Sequence, residues 1–187
     1  MAEEKKRRGR RDHLNDFYRD VSGNYVYTGV CYEHTGGVRA NTALLRCLWL
    51  MAAVMAAAVL AGGCISAPGV GRCFYVLLPY AAQIGVTGSI VWAVARWQVR
   101  EYPLREYIYR ATVQALPGRC LAQAVLAGVG LAAETLYLLL SGSDGRGAAA
   151  AVYLLLQACV LVLALLTRRA VLASDWQMEK HGGLTAE

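Results

Sequence analysis

Apolar residues along this chain fall in four long blocks rather than in periodic stripes. Residues 47–65 are 19 positions without a charge, 73–95 are 23 and 147–167 are 21, while 120–140 are 21 with one charge, Glu134. Each block is close to the roughly 20 residues an α-helix needs to cross a hydrocarbon core about 30 Å thick. One such block could be a buried helix of a soluble domain. Four in a chain of 187 residues leave too little polar sequence to cover them. The pattern predicts an all-α integral membrane protein, a bundle of four transmembrane helices at about those four ranges within a domain spanning 43–167. The connections at 66–72 and 141–146 are short and rich in Gly, Ser and Pro, so each pair of helices forms an antiparallel hairpin.

The polar segments carry their own patterns. In the arm, residues 1–42, Leu14, Phe17, Tyr18 and Val21 fall at i, i+3, i+4 and i+7, with Arg11, Asp12, Asp16, Arg19 and Asp20 opposite. That spacing predicts a short amphipathic helix lying at the membrane interface. Residues 25–32 are rich in β-formers and aromatics and read as an extended piece, after which Gly36-Gly37 breaks the chain. In the connector between the hairpins, Leu104, Tyr107, Ile108, Ala111 and Ala115 share a stripe after Pro103. They predict a second interfacial helix, ended by Pro117-Gly118. Residues 168–187 form a polar tail.

Three matched pieces suggest that the two hairpins are a parallel internal repeat. Ala43-Leu44-Leu45-Arg46-Cys47-Leu48 opens the first crossing, and the segment from Ala115 through Arg119-Cys120-Leu121 opens the third. Trp97-Gln98 follows the second and Trp176-Gln177 the fourth, while Tyr25-Val26-Tyr27 and Tyr107-Ile108-Tyr109 precede the hairpins. Each half would run in, out and back in, about an axis along the membrane normal.

Charge adds an orientation. Only 17% of residues are charged, against about a quarter in soluble domains. Nine Lys and Arg lie within residues 1–46, five within 96–119 and three within 168–187, leaving Arg72 and Arg146 for the two hairpin loops. Basic residues are retained on the cytoplasmic side. Both ends and the connector are therefore expected inside, in the plasma (inner) membrane. The first apolar run begins too late, and is too long, for a cleaved signal peptide. The basic run at residues 5–11 could attract nucleic acid or anionic lipid. An orientation signal beside anionic lipid at the cytoplasmic face is the plainer reading, and no nucleic acid is expected.

Candidate chemistry is sparse. Glu134 is the lone charge inside the four blocks, and a carboxylate at membrane depth costs about 2.5–3.5 kcal/mol by insertion scales. Such a group faces protein or water and marks either a site or a hydrogen-bonded glue between helices. Gln123 lies three turns earlier on the same face, Gln83, Gln157 and Tyr153 fall at similar depth, and Tyr80, Gln83 and Thr87 share a face. These seven residues are the candidate substrate or ion site. The six cysteines show no metal spacing; Cys64 and Cys73 flank the first outer loop and could form a disulfide. His13, His34 and His181 all lie in polar segments, so no metal, no cofactor and no intramembrane catalytic arrangement is expected, and the chain does not read as an enzyme.

Seven of the eleven tyrosines lie in the arm and connector. Tyr107 and Tyr109, with Arg100, Arg105 and Arg110, could form a cytoplasmic basic and aromatic surface; an interfacial belt is the plainer reading. Small residues on the apolar blocks suggest close helix contacts and a homo-oligomer, or a subunit of a membrane complex. The sequence thus points to a small oligomeric transporter or channel-like protein centred on Glu134. The alternative is a non-transporting membrane subunit or scaffold whose arm and connector bind a partner protein.

Overall fold

The computed structural model describes residues 17–19, 25–27, 29–100, 102–142 and 145–180. The chain runs β1 (Phe17–Arg19), β2 (Tyr25–Tyr27), β3 (Val30–His34), α1 (Gly37–Cys64), α2 (Phe74–Gln98), β4 (Leu104–Arg105), α3 (Glu106–Tyr109), α4 (Leu116–Ser141), α5 (Gly147–Leu172) and β5 (Trp176–Lys180). Four helical segments are long and apolar enough to cross a membrane. Helix α1 packs on α2 and α5, and α4 packs on the same two, so α1, α2, α4 and α5 close a ring. Tyr80, early in α2, donates a hydrogen bond to the carbonyl of Val59, late in α1, at 2.9 Å.

The buried positions follow a rule. Helix α2 buries Val76, Tyr80, Gln83, Thr87, Ile90, Val94 and Trp97. Helix α4 buries Leu116, Cys120, Gln123, Ala127, Gly130, Glu134 and Tyr137, and α5 buries Ala150, Tyr153, Gln157, Val160, Ala164, Thr167 and Val171. Apart from the flanking Pro79, Ala93, Ala124 and Ala133, which are also buried, the steps alternate between three and four, the 3.5-residue period that keeps one seam of a helix facing its neighbours. Leu48, Ala52, Met55, Val59 and Gly62 continue the rule on α1.

The helices depart from the sequence boundaries at their ends. Gly36-Gly37 does break the chain, but α1 starts there, about three turns earlier than the apolar block, and carries Arg39 and Arg46 on exposed positions. Gly37 has φ of +69°, which a residue bearing Cβ rarely adopts. In the arm, the expected amphipathic helix is not what forms. Phe17–Arg19 is a strand paired antiparallel with Tyr25–Tyr27, Tyr18 lying opposite Val26. Aromatic and β-branched side chains suit a strand better than a helix. The other residues of that stripe, Leu14 and Val21, lie outside the described residues.

The connector also differs from a separate interfacial helix. Leu104 is in β4, and α3 passes through a π-helical turn at Arg110–Gln114 directly into α4. Pro117-Gly118 opens α4 rather than ending a segment, since Pro is tolerated in a first turn, where its missing N–H has no partner to lose. The ladder just before it loosens into the wide turn.

Arm, connector and tail meet in one sheet of order β4-β3-β5, both pairings antiparallel. Cys31 lies opposite Arg105 on one side and Glu179 on the other. An aromatic cluster ties this sheet to the bundle. The rings of Tyr32 and Tyr109 stack with centroids 4.1 Å apart, and Trp176 meets His34, Tyr109 and Trp97 at 5.4, 5.4 and 5.5 Å. Two matched pieces of the suggested repeat therefore differ in conformation. Tyr25–Tyr27 is strand and Tyr107–Tyr109 helix, while Trp97 ends a helix and Trp176 begins a strand.

Burial in this sheet pushes the Cys31 thiol above its ordinary range, opposed by the Arg105 guanidinium and reinforced by Glu33 and Glu179. Less thiolate is present at neutral pH, and the thiolate is the reactive form. Maleimide labelling followed by mass spectrometry should find Cys31 reacting several-fold more slowly than exposed Cys64 at pH 7. The gap should narrow as pH rises; equal rates at pH 7 would contradict the buried position.

Candidate functional site

The seven candidate residues all fall on the inward seams and are buried: Gln83, Thr87, Gln123, Glu134 and Gln157 among the polar side chains, with Tyr80 and Tyr153. Most join one hydrogen-bonded cluster. Gln83 Nε2 donates to Gln157 Oε1 at 2.9 Å, and Gln157 Nε2 donates back to Gln83 Oε1 at 3.1 Å. Gln157 Nε2 also donates to the Tyr153 hydroxyl, one turn away on α5, at 2.9 Å. One layer on, the Thr87 hydroxyl donates to the carbonyl of Gln83 and accepts from Gln123 Nε2, both at 2.8 Å. Tyr80 approaches Tyr153 with ring centroids 6.5 Å apart, while its hydroxyl is engaged with Val59.

Glu134 stands at the end of this column nearest the 66–72 loop. Gln123 to Glu134 is eleven residues, about 16 Å along α4. The carboxylate is fully buried, and the Gly69 N–H donates to its Oε1 at 3.2 Å. The same loop residue uses its carbonyl to accept from the N–H groups of Arg72 and Cys73, at 3.2 and 2.9 Å. Ala67, Pro68 and Gly69 are buried, so the loop folds inward over the bundle. A Cβ at Gly69 would collide with Glu134 Oε2, so a larger residue there would have to push the carboxylate aside.

Two acceptors of the column find no partner among the described residues, Glu134 Oε2 at one end and Gln123 Oε1 at the other. A buried acceptor left unpaired costs about 1–3 kcal/mol, more where the group is charged. Such atoms suit a proton, or a donor group of a small solute. Among the described residues no three His, Cys, Asp or Glu side chains gather as a metal site.

The remaining candidates are placed as follows. Cys64 and Cys73 are both free thiols, Cys64 exposed at the end of α1 and Cys73 half-buried immediately before α2. Of the basic and aromatic surface, Arg100, Arg105 and Tyr107 line one pocket of about 230 Å³. Arg110 instead forms an ion pair with Glu106 one turn before it, and the Tyr109 ring packs on Tyr32 and Trp176.

The loop anchor at Gly69 was invisible in the sequence, because a backbone N–H carries no side-chain signature. The inward placement of Gln83, Gln123, Gln157 and Glu134 had a usable signal, since each sits on its helix's three-four seam. Comparisons with family models, with curated proteins and with solved structures yield no match to this chain.

Proposed function

We infer that the chain is a multi-pass integral membrane protein of the small oligomeric transporter or channel-like kind, with a proton- or solute-accepting site at Glu134. The observation that carries this reading is the unpartnered Oε2 of a fully buried carboxylate, at the head of a 16 Å polar column. Membrane residence is supported by the outward faces of the long helices. Phe74 is 83% exposed, Leu139 80% and Leu78 67%, a cover no water-soluble bundle tolerates in such density. The sheet supports a common side for both ends and the connector. β3 precedes the first long helix, β4 follows the second and β5 follows the fourth, so an even number of crossings separates each pair. The distribution of Lys and Arg assigns that side to the cytoplasm.

In this reading the loop closes the outer end through Gly69, and the polar column is held shut by its own hydrogen bonds. Protonation of Glu134 weakens its hold on the Gly69 N–H, because a carboxylate accepts a hydrogen bond about twice as strongly as a neutral acid. A donor from a solute then meets Oε2, with the glutamine amides beneath it. A second reading has one observation in its favour. The reciprocal Gln83–Gln157 pair is a self-satisfied contact of the kind that glues helices together, which suits a non-transporting subunit whose three-stranded sheet receives a partner.

Glu134→Gln separates the two. The amide preserves shape and still accepts from Gly69, while the titratable proton is lost. In liposomes under an imposed pH gradient, proton flux by the Gln variant should fall at least tenfold or lose its pH dependence, with the melting temperature nearly unchanged. Wild-type flux no greater than that of protein-free liposomes, or full flux in the Gln variant at every pH, would favour the subunit reading.

A further inference from the structure

We propose that the flank formed by α1 and α2 is a binding site for an acidic phospholipid, one acyl chain in an apolar groove and the phosphate on Arg96 and Arg100. The inference rests on the membrane reading above and extends it to a named class of ligand. A groove of about 330 Å³ lies between the two helices, walled by Leu60 on α1 and by Gly88 and Trp92 on α2. It continues into a second hollow of about 320 Å³ that shares Trp92 and Ala95 and is closed by Arg96 and Arg100. Arg100 in turn belongs to the 230 Å³ pocket with Arg105 and Tyr107. One continuous track thus runs from hydrocarbon-like walls to guanidinium groups.

Its dimensions match one leaflet. Ile84 to Ala95 rises about 16 Å along α2, and half of a bilayer's hydrocarbon core is about 15 Å. Trp92, 69% exposed, stands near the junction, close to the depth where indole rings favour the headgroup boundary. Arg96 follows Trp92 by about one turn and Arg100 lies just past the end of α2, where a phosphate would lie. Planar guanidinium groups bind phosphate oxygens through paired hydrogen bonds. Among the described residues neither Arg96 nor Arg100 forms an ion pair with a carboxylate. A second copy of the chain fits less well, since a twofold contact on this face sets Arg96 and Arg100 against their own counterparts.

Gly88 supplies a clean test. A Cβ there meets nothing within 4 Å, so Gly88→Leu fills the groove without disturbing the bundle. The chain in a zwitterionic detergent is titrated with dioleoyl phosphatidylglycerol, dioleoyl phosphatidylcholine or inorganic phosphate, and bound lipid is read by native mass spectrometry beside the melting temperature. Phosphatidylglycerol should bind and raise the melting temperature; phosphatidylcholine should do so far less, and phosphate alone not at all. Arg96→Gln with Arg100→Gln should weaken phosphatidylglycerol about 25-fold, roughly fivefold per arginine near the lipid surface. Gly88→Leu should weaken both lipids while leaving the lipid-free melting temperature in place. Equal binding of both lipids, retained binding in either variant, or an equal effect of inorganic phosphate would overturn the proposal. So would a dimer in the lipid-free spectrum that Gly88→Leu abolishes, which would assign the groove to a second copy. Failure of the underlying reading is told apart by alkaline carbonate extraction of cell membranes. Release of the chain into the supernatant removes both, whereas a retained chain without selective lipid binding removes only the lipid site.

Discussion

Gln157→Leu should destabilise the folded chain by about 1–3 kcal/mol, and adding Gln83→Leu should recover most of that loss. The single change strips both hydrogen bonds from the Gln83 amide and leaves it buried among apolar groups. The double change removes the stranded amide as well. What stays unrecovered belongs to the Tyr153 hydroxyl, which also loses Gln157 Nε2. Adding Tyr153→Phe should return that remainder. Inter-helix hydrogen bonds in membranes average about 0.6 kcal/mol, so a coupling near or above 1 kcal/mol identifies this pair as a strong one. The measurement is reversible unfolding in mixed micelles across the full cycle. A double variant no more stable than Gln157→Leu would show that the two amides do not act as a pair. The same stable double variant also bears on transport. Undiminished flux through it would remove the glutamines from any solute path and leave Glu134 alone.

The other large effect is expected at the aromatic junction. Trp97 is 1% exposed and meets Trp176 across 5.5 Å. Trp97→Ala should cost about 3–5 kcal/mol, the range for emptying a buried large aromatic site. Trp176 is only half-buried, so Trp176→Ala should cost less while still loosening the sheet. Proteolysis of the tail beyond Leu172 and near-ultraviolet dichroism report the loosening separately from loss of the helices. A Trp97→Ala variant within 1 kcal/mol of wild type would mean that the sheet end contributes little to stability.

The four long helices were legible because each fills a run of about 20 residues nearly free of charge, a length and composition suited to crossing a membrane. Their ends were not. Helix α1 begins in polar sequence at Gly37, where hydrogen bonding of the backbone rather than hydropathy decides the boundary. Phe17–Arg19 misled because an apolar pair at adjacent positions satisfies a helical stripe and a strand alike, and only the pairing with Tyr25–Tyr27 decides between them. The sheet itself joins segments up to 150 positions apart, Val30 opposite Lys180, and no local pattern encodes such a partner. Within the site, Glu134 and the three glutamines were legible as polar residues in apolar blocks. Their separation into a glutamine cluster and a loop-anchored carboxylate depends on the heights of neighbouring helices, which one-dimensional spacing does not contain.

The central place of β3 in the sheet has a consequence for biosynthesis. β3 leaves the ribosome before any of the long helices, yet one of its two edges is covered only by β5, which follows all of them. Until the tail emerges, that edge presents unpaired N–H and C=O groups, the arrangement that recruits stray strands. The β4 edge is covered sooner but by two residues only. Synthesis of all four long helices therefore precedes closure of the sheet, which joins strands on either side of them. While β5 is still within the ribosome, the nascent chain should hold its β3 edge open, the stage most exposed to a chaperone or to mispairing between neighbouring nascent chains.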